Sequence, residues 1–88
     1  MEGVKMSRFY YLFPASQVVS VVPEVVNLDG CIYLQVTFNL KDGKIHTSHT
    51  DEFDTSSEAF DMLKETFEEL KWRYRDLVVN LYEDKINN

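Results

Sequence analysis

The stretch that decides the fold is residues 27–43, NLDGCIYLQVTFNLKDG. Its centre alternates: Ile32, Leu34, Val36, Phe38 and Leu40 fall on one side of an extended chain, and Cys31, Tyr33, Gln35, Thr37 and Asn39 on the other. Asp-Gly pairs at 29–30 and 42–43 bracket it, and Asp-Gly between alternating segments is a strong hairpin signal. The segment is therefore a strand with one core face and a neighbour on each side. Read as a two-residue turn, Asp42-Gly43 pairs Leu40 with Ile45, Phe38 with Thr47 and Val36 with His49. The following KIHTSHT (44–50) is then a polar edge strand, with His49 facing inward and His46 outward.

Working back toward the N-terminus, QVVSVVPEVVNL (17–28) suits a bent strand or a short helix on spacing alone, and its valines favour the strand. Pro23 then belongs at an edge or a bulge, because it has no N–H for a ladder. RFYYLF (8–13), stopped by Pro14, reads as the first strand, with Phe9, Tyr11 and Phe13 on one face and Tyr10 and Leu12 on the other. Residues 1–7 read as a flexible lead to a single domain over 8–86.

Toward the C-terminus, Thr55-Ser56-Ser57-Glu58 has the form of a capping box. Phe60, Leu63, Phe67, Leu70, Tyr74, Leu77 and Leu81 follow at alternating spacings of three and four, an unbroken apolar stripe. Burying it contributes about 10–20 kcal/mol gross, against ~1 kcal/mol for the cap, so packing holds the helix. Continued from Ser56 to Tyr82 it would be about 40 Å long and overhang strands of about 20–30 Å. The alternative is that LVVNLY (77–82), with its β-branched Val78-Val79 pair, leaves the helix as a fifth strand. The sequence thus predicts an α+β fold: an antiparallel β-meander of about four strands followed by, and packed against, one long C-terminal amphipathic helix.

Charge is distributed unevenly. The net charge is −6, and between Asp51 and Glu69 stand Asp51, Glu52, Asp54, Glu58, Asp61, Glu65, Glu68 and Glu69 with one base, Lys64. Helix-dipole complementarity explains acids in the first turn only. Glu65 and Glu69 repel one another at i, i+4, so a purely solvated face would do better with mixed signs. This run is the candidate partner-binding patch.

Two apolar surfaces are left over. One helix covers one sheet face, leaving Tyr10, Leu12, Tyr33 and Val26 on the other. On the helix face opposite the stripe, Trp72, Val79 and Ile86 recur every seven residues, with Tyr82 alongside. Apolar lines of this kind mark interfaces unless the chain itself folds over them. Tyr10, Leu12, Tyr33, Trp72, Val79 and Tyr82 are accordingly the candidate oligomer or partner surface, and a homodimer is the economical arrangement.

Catalytic chemistry finds little support. His46 and His49 lie beside Asp51 and Glu52, but three residues apart on a strand two imidazoles face opposite ways and do not share an ion. DEFD lacks the glycine and ligand spacing of a calcium loop. There is no Gly-rich phosphate loop, nucleophile elbow or HExxH, so neither an enzyme, a metal nor a cofactor is expected. Cys31, the single cysteine, reads as a small buried hydrophobe without an adjacent base. The acidic balance argues against direct binding of nucleic acid, which requires Lys and Arg on phosphates. No apolar run is long enough to cross a bilayer and no signal-peptide pattern opens the chain, which suggests a cytoplasmic protein.

Two functional expectations remain. The first is a small acidic protein-binding module, a regulator or inhibitor that presents the carboxylates to a basic protein surface. In size, acidity and lack of catalytic motifs the chain resembles, as a class and without an alignable motif, small phage and mobile-element inhibitors of nucleic-acid-processing machinery, including anti-CRISPR and DNA-mimic proteins. The second is a structural homodimer or assembly subunit whose acids serve solubility alone.

Overall fold

A computed structural model describes residues 9–82 of the protein. The lead expected at 1–7 lies outside that range, as do Arg8 and Ile86. Three strands form one antiparallel sheet in the order β1 (Val18–Leu28), β2 (Cys31–Leu40), β3 (Ile45–His49), and a single helix, α1 (Ser56–Tyr74), crosses one face. This is the expected α+β arrangement with three strands instead of four and a shorter helix.

The β1–β2 hairpin forms as its sequence dictates. Leu28 pairs with Cys31, and Asp29 and Gly30 both take positive φ, 55° and 85°, the geometry of the two-residue turn whose twist matches that of the strands. Asn27 Oδ1 accepts the Gly30 N–H at 3.0 Å and steadies it. Farther along β1 the register shifts between Val18 and Ser20. This bulge keeps Val18 and Val21, three apart, on the same buried face while Val19 is exposed.

The second hairpin differs from expectation by one residue. Gly43 N–H bonds Leu40 O at 3.0 Å and Leu40 N–H bonds Lys44 O at 2.9 Å, closing a three-residue loop, Lys41-Asp42-Gly43, in which Gly43 at φ 88° supplies the left-handed step. Phe38 therefore pairs with His46, Thr37 with Thr47 and Gln35 with His49. A slip of one residue exchanges the faces of a strand: His49, expected inward, is exposed, and His46 is half-buried. Tyr11 and Phe13 set their rings 5.7 and 5.3 Å from the His46 imidazole. β3 is an edge strand, as its polarity requires.

The aromatic run at 9–13 is not a strand. It crosses the core face of the sheet beside α1. Tyr10, expected on an outward face, is 5% exposed and packs with Val18, Val21, Val36, Phe38, Leu70 and Tyr74. The buried Tyr74 hydroxyl ties the segment down: it donates to Phe13 O at 2.6 Å and accepts the Phe13 N–H at 3.0 Å. A second cluster of Leu34, Leu63 and Phe67 fills the other end of the sheet, with Phe53, Met62 and Val25 against it.

The helix begins where predicted, with Thr55 Oγ1 accepting the Glu58 N–H at 3.2 Å. It buries Leu63, Phe67, Leu70 and Tyr74, together with Ala59 and Thr66, whereas Phe60 at the start of the stripe is exposed. It ends eight residues before Tyr82, at Tyr74, which makes it about 28 Å long. Arg75 takes φ 51° and turns the chain into a single 3-10 turn, Arg75–Leu77. Val78 then meets Val21 in a parallel bridge, with Val79 N–H on Val21 O at 2.8 Å.

That return closes the outer margin of β1. Val21 O is taken by Val79, Val25 N–H donates to the Tyr82 hydroxyl at 2.9 Å, and between them Pro23 has no donor to leave open. The chain thus leaves the helix earlier than either expectation, after Tyr74, and 77–82 forms a single bridge with β1 and not a fifth strand. Leu81 has left the apolar stripe and is exposed.

Candidate functional site

The carboxylates of 51–69 are brought together on two adjoining elements. Asp51 and Glu52 sit on the connection from β3 to α1, pinned along the β2 margin by Thr50 N–H to Leu34 O at 3.0 Å, Leu34 N–H to Thr50 Oγ1 at 3.0 Å and Phe53 N–H to Ile32 O at 2.8 Å. Asp54 precedes the cap. The rest lie on α1, where Glu58, Asp61, Glu65, Glu68 and Trp72 follow one another at spacings of three, four, three and four. At about 100° per residue these five form a stripe opposite the one that holds Leu63, Phe67, Leu70 and Tyr74. All five are exposed, as are Asp51, Glu52 and Asp54. Neighbours along the stripe are about 5–6 Å apart at Cβ, and from Glu58 to Trp72 it runs about 21 Å.

Glu69 belongs to a different environment. It is half-buried and accepts the Tyr10 hydroxyl at 2.9 Å, which draws the N-terminal segment against the helix. Between the two lies an open cleft of about 530 Å³ lined by Tyr10, Leu12, Glu65, Glu68, Glu69, Leu70, Trp72 and Arg73. Trp72 is 84% exposed at its lip.

The other sheet face carries a polar ladder. Gln35 Nε2 donates to Glu24 Oε2 at 3.1 Å, which leaves Gln35 Oε1 as an acceptor. His49 Nε2 lies 2.7 Å from it and so is the protonated nitrogen. Asn39 Nδ2 donates to Ser20 Oγ at 2.9 Å, and Thr37 and Thr47 hydroxyls meet at 3.5 Å. At the corner of this face the Cys31 thiol lies within the influence of the Glu52 carboxylate. Glu52, as acceptor and as a charge, together with desolvation, pushes the thiol above its ordinary value against a smaller opposing effect of Tyr33, and the Tyr33 phenol is pushed up chiefly by Cys31.

The residues expected to form one apolar surface are dispersed. Tyr10 is core, Leu12 and Trp72 line the cleft, Tyr33 is half-buried on the ladder face, and Val79 and Tyr82 sit on the return segment along β1. The seven-residue recurrence of Trp72 and Val79 has no helix to carry it, since α1 ends between them.

No known protein family matches this chain, nor does any curated protein or solved structure. Its chemistry has to be read from its own geometry. Among the described residues there is no grouping of three or more His, Cys, Asp or Glu able to hold a metal ion. None of the described helices is long and apolar enough to cross a membrane. Sequence reasoning missed the cleft, with Leu12 and Arg73 on its walls, because it assigned RFYYLF to a strand. The signal available was Pro14, which closes the run so early that it has little length to pair with.

Proposed function

We propose that this protein is a small acidic protein-binding module, a regulator or inhibitor, that presents the α1 carboxylate stripe and the adjoining Asp51, Glu52 and Asp54 to a basic surface on another protein. The observation that carries this reading is the placement of Glu58, Asp61, Glu65 and Glu68 on one exposed line opposite the buried stripe. Four like charges in a row oppose each other on an isolated helix, and a positive partner relieves that repulsion. The field of the row steers encounter and excludes anionic competitors from the partner. A spacing of about 5–6 Å suits a surface that ordinarily receives phosphates, such as the nucleic-acid groove of a processing enzyme. Phage and mobile-element inhibitors of the DNA-mimic kind act in this way.

Less supports a homodimer through the sheet, because the open face carries the Glu24–Gln35–His49 ladder, not an apolar patch. The test is ionic strength. Capture of a basic partner should fall steeply between about 50 and 300 mM salt, where screening shortens from beyond 10 Å to well under it. Binding unchanged across that range would refute the reading. So would full activity in a Glu58→Gln/Asp61→Asn/Glu65→Gln/Glu68→Gln variant that keeps its fold.

A further inference from the structure

The carboxylate stripe ends in an aromatic side chain beside a cleft, and that conjunction says more than the charge alone. Trp72 occupies the next position of the 58–61–65–68 series and is the most exposed large hydrophobic residue described. A solvated face has no use for an indole, and burying it in this chain's own core would require the opposite side of α1. The cleft beside it has an apolar floor of Tyr10, Leu12 and Leu70, while Glu65 and Glu68 stand on the helix side. Glu69 is already engaged by Tyr10 and serves to hold the N-terminal wall against α1. Arg73 lies at the margin, so positive charge is welcome at the Glu65–Glu68 side and opposed at the other.

From this we infer that the cleft receives an arginine side chain of the protein partner, with the guanidinium over the Trp72 ring and its N–H groups on the Glu65 and Glu68 carboxylates. The inference rests on the proposed function and specifies where on the acidic surface recognition is centred. Arginine fits the cleft better than lysine for three reasons. Its planar head stacks on an indole face, it engages carboxylates through two parallel bonds, and its three-carbon stem lies along an apolar floor while the head stays wet. Charge complementarity excludes a phosphate or a nucleic acid here.

The protein supplies its own reporter, because Trp72 is its single tryptophan. Nona-arginine and nona-lysine peptides carry equal charge and separate the cleft from the general field. Titration at low salt is expected to change the Trp72 emission with nona-arginine and to leave it nearly unaltered with nona-lysine. By calorimetry, Trp72→Ala and the pair Glu65→Gln/Glu68→Gln should each weaken nona-arginine binding at least about fivefold. The pair Asp51→Asn/Asp54→Asn, which removes the same charge elsewhere, should weaken it about twofold or less. All these side chains are exposed, and unchanged circular dichroism melts will show that the fold is kept.

Equal affinity for the two peptides, with both charge pairs equally damaging, would overturn the arginine site while leaving the acidic module standing. No binding of either peptide at low salt would overturn both. A concentration-dependent dimer that Trp72→Ala dissociates would assign the cleft to a second copy of the chain and likewise overturn the arginine site.

Discussion

Replacing Tyr74 by phenylalanine removes one oxygen atom, and the structure says what that atom holds. The Tyr74 ring is buried, packed 5.6 Å from Phe38, and the substitution keeps it. What is lost is the pair of bonds to Phe13, the donated one at 2.6 Å and the accepted one at 3.0 Å. Each is worth ~0.5–1.5 kcal/mol net, so Tyr74→Phe should cost about 1–3 kcal/mol. For a domain of this size a loss of about 2 kcal/mol lowers Tm by about 8–16 °C.

Titration adds a second signature. Burial pushes the Tyr74 phenol above its ordinary value, against smaller opposing effects of the Phe13 bond and Arg73. The folded state therefore holds this proton more tightly than the unfolded one. The associated stability is fully present below about pH 10, the unfolded tyrosine value, and is lost as pH rises through the higher folded value. Scanning calorimetry from neutral pH into the alkaline range should show the wild type losing more stability than Tyr74→Phe above about pH 10. A Tm within about 2 °C of wild type at neutral pH, or parallel alkaline limbs, would refute the account of how residues 9–13 are held.

Two further outcomes follow from local geometry. Arg75 takes φ 51° and ψ −120°, a region that glycine occupies freely and a side chain does not, so Arg75→Gly should stabilise the protein by about 0.5–1 kcal/mol; a urea midpoint that falls would show that the arginine side chain contributes more than its backbone costs. The Cys31 thiol, held protonated by Glu52, should react with iodoacetamide more slowly than a free cysteine at pH 8, and Glu52→Gln should speed it. Equal alkylation rates in the two proteins would remove Glu52 from its surroundings.

The hairpins were legible because their instructions are local. Alternation in 31–40 and the Asp-Gly pairs require nothing from the rest of the chain, and the Thr55 cap is equally self-contained. The second loop went astray by one residue because Asp-Gly suits both a two-residue turn and the last two positions of a three-residue one. The choice lies in whether Leu40 bonds Ile45 or Lys44. The end of α1 carried no punctuation: no glycine or proline stands near Tyr74, and Arg75 takes the unfavourable backbone angle because Val78 and Val79 gain the margin of β1. The aromatic segment was misassigned because its partners, Tyr74 and Glu69, are 61 and 59 residues away along the chain. The acidic run was visible at once. That it ends in a cleft was not, since the cleft needs the N-terminal segment laid against α1.

The seal along β1 has a consequence for assembly. With Val79 and Tyr82 bonded along the β1 border and Pro23 offering no donor there, the more open border among the described residues is that of β3. Joining two β3 borders face to face would build a closed twofold pair, and the return segment along β1 would hinder further growth. Fibrillar stacking would first have to peel the return segment away, so its detachment, and not the unfolding of the whole domain, is the event that would expose the protein to runaway polymerisation.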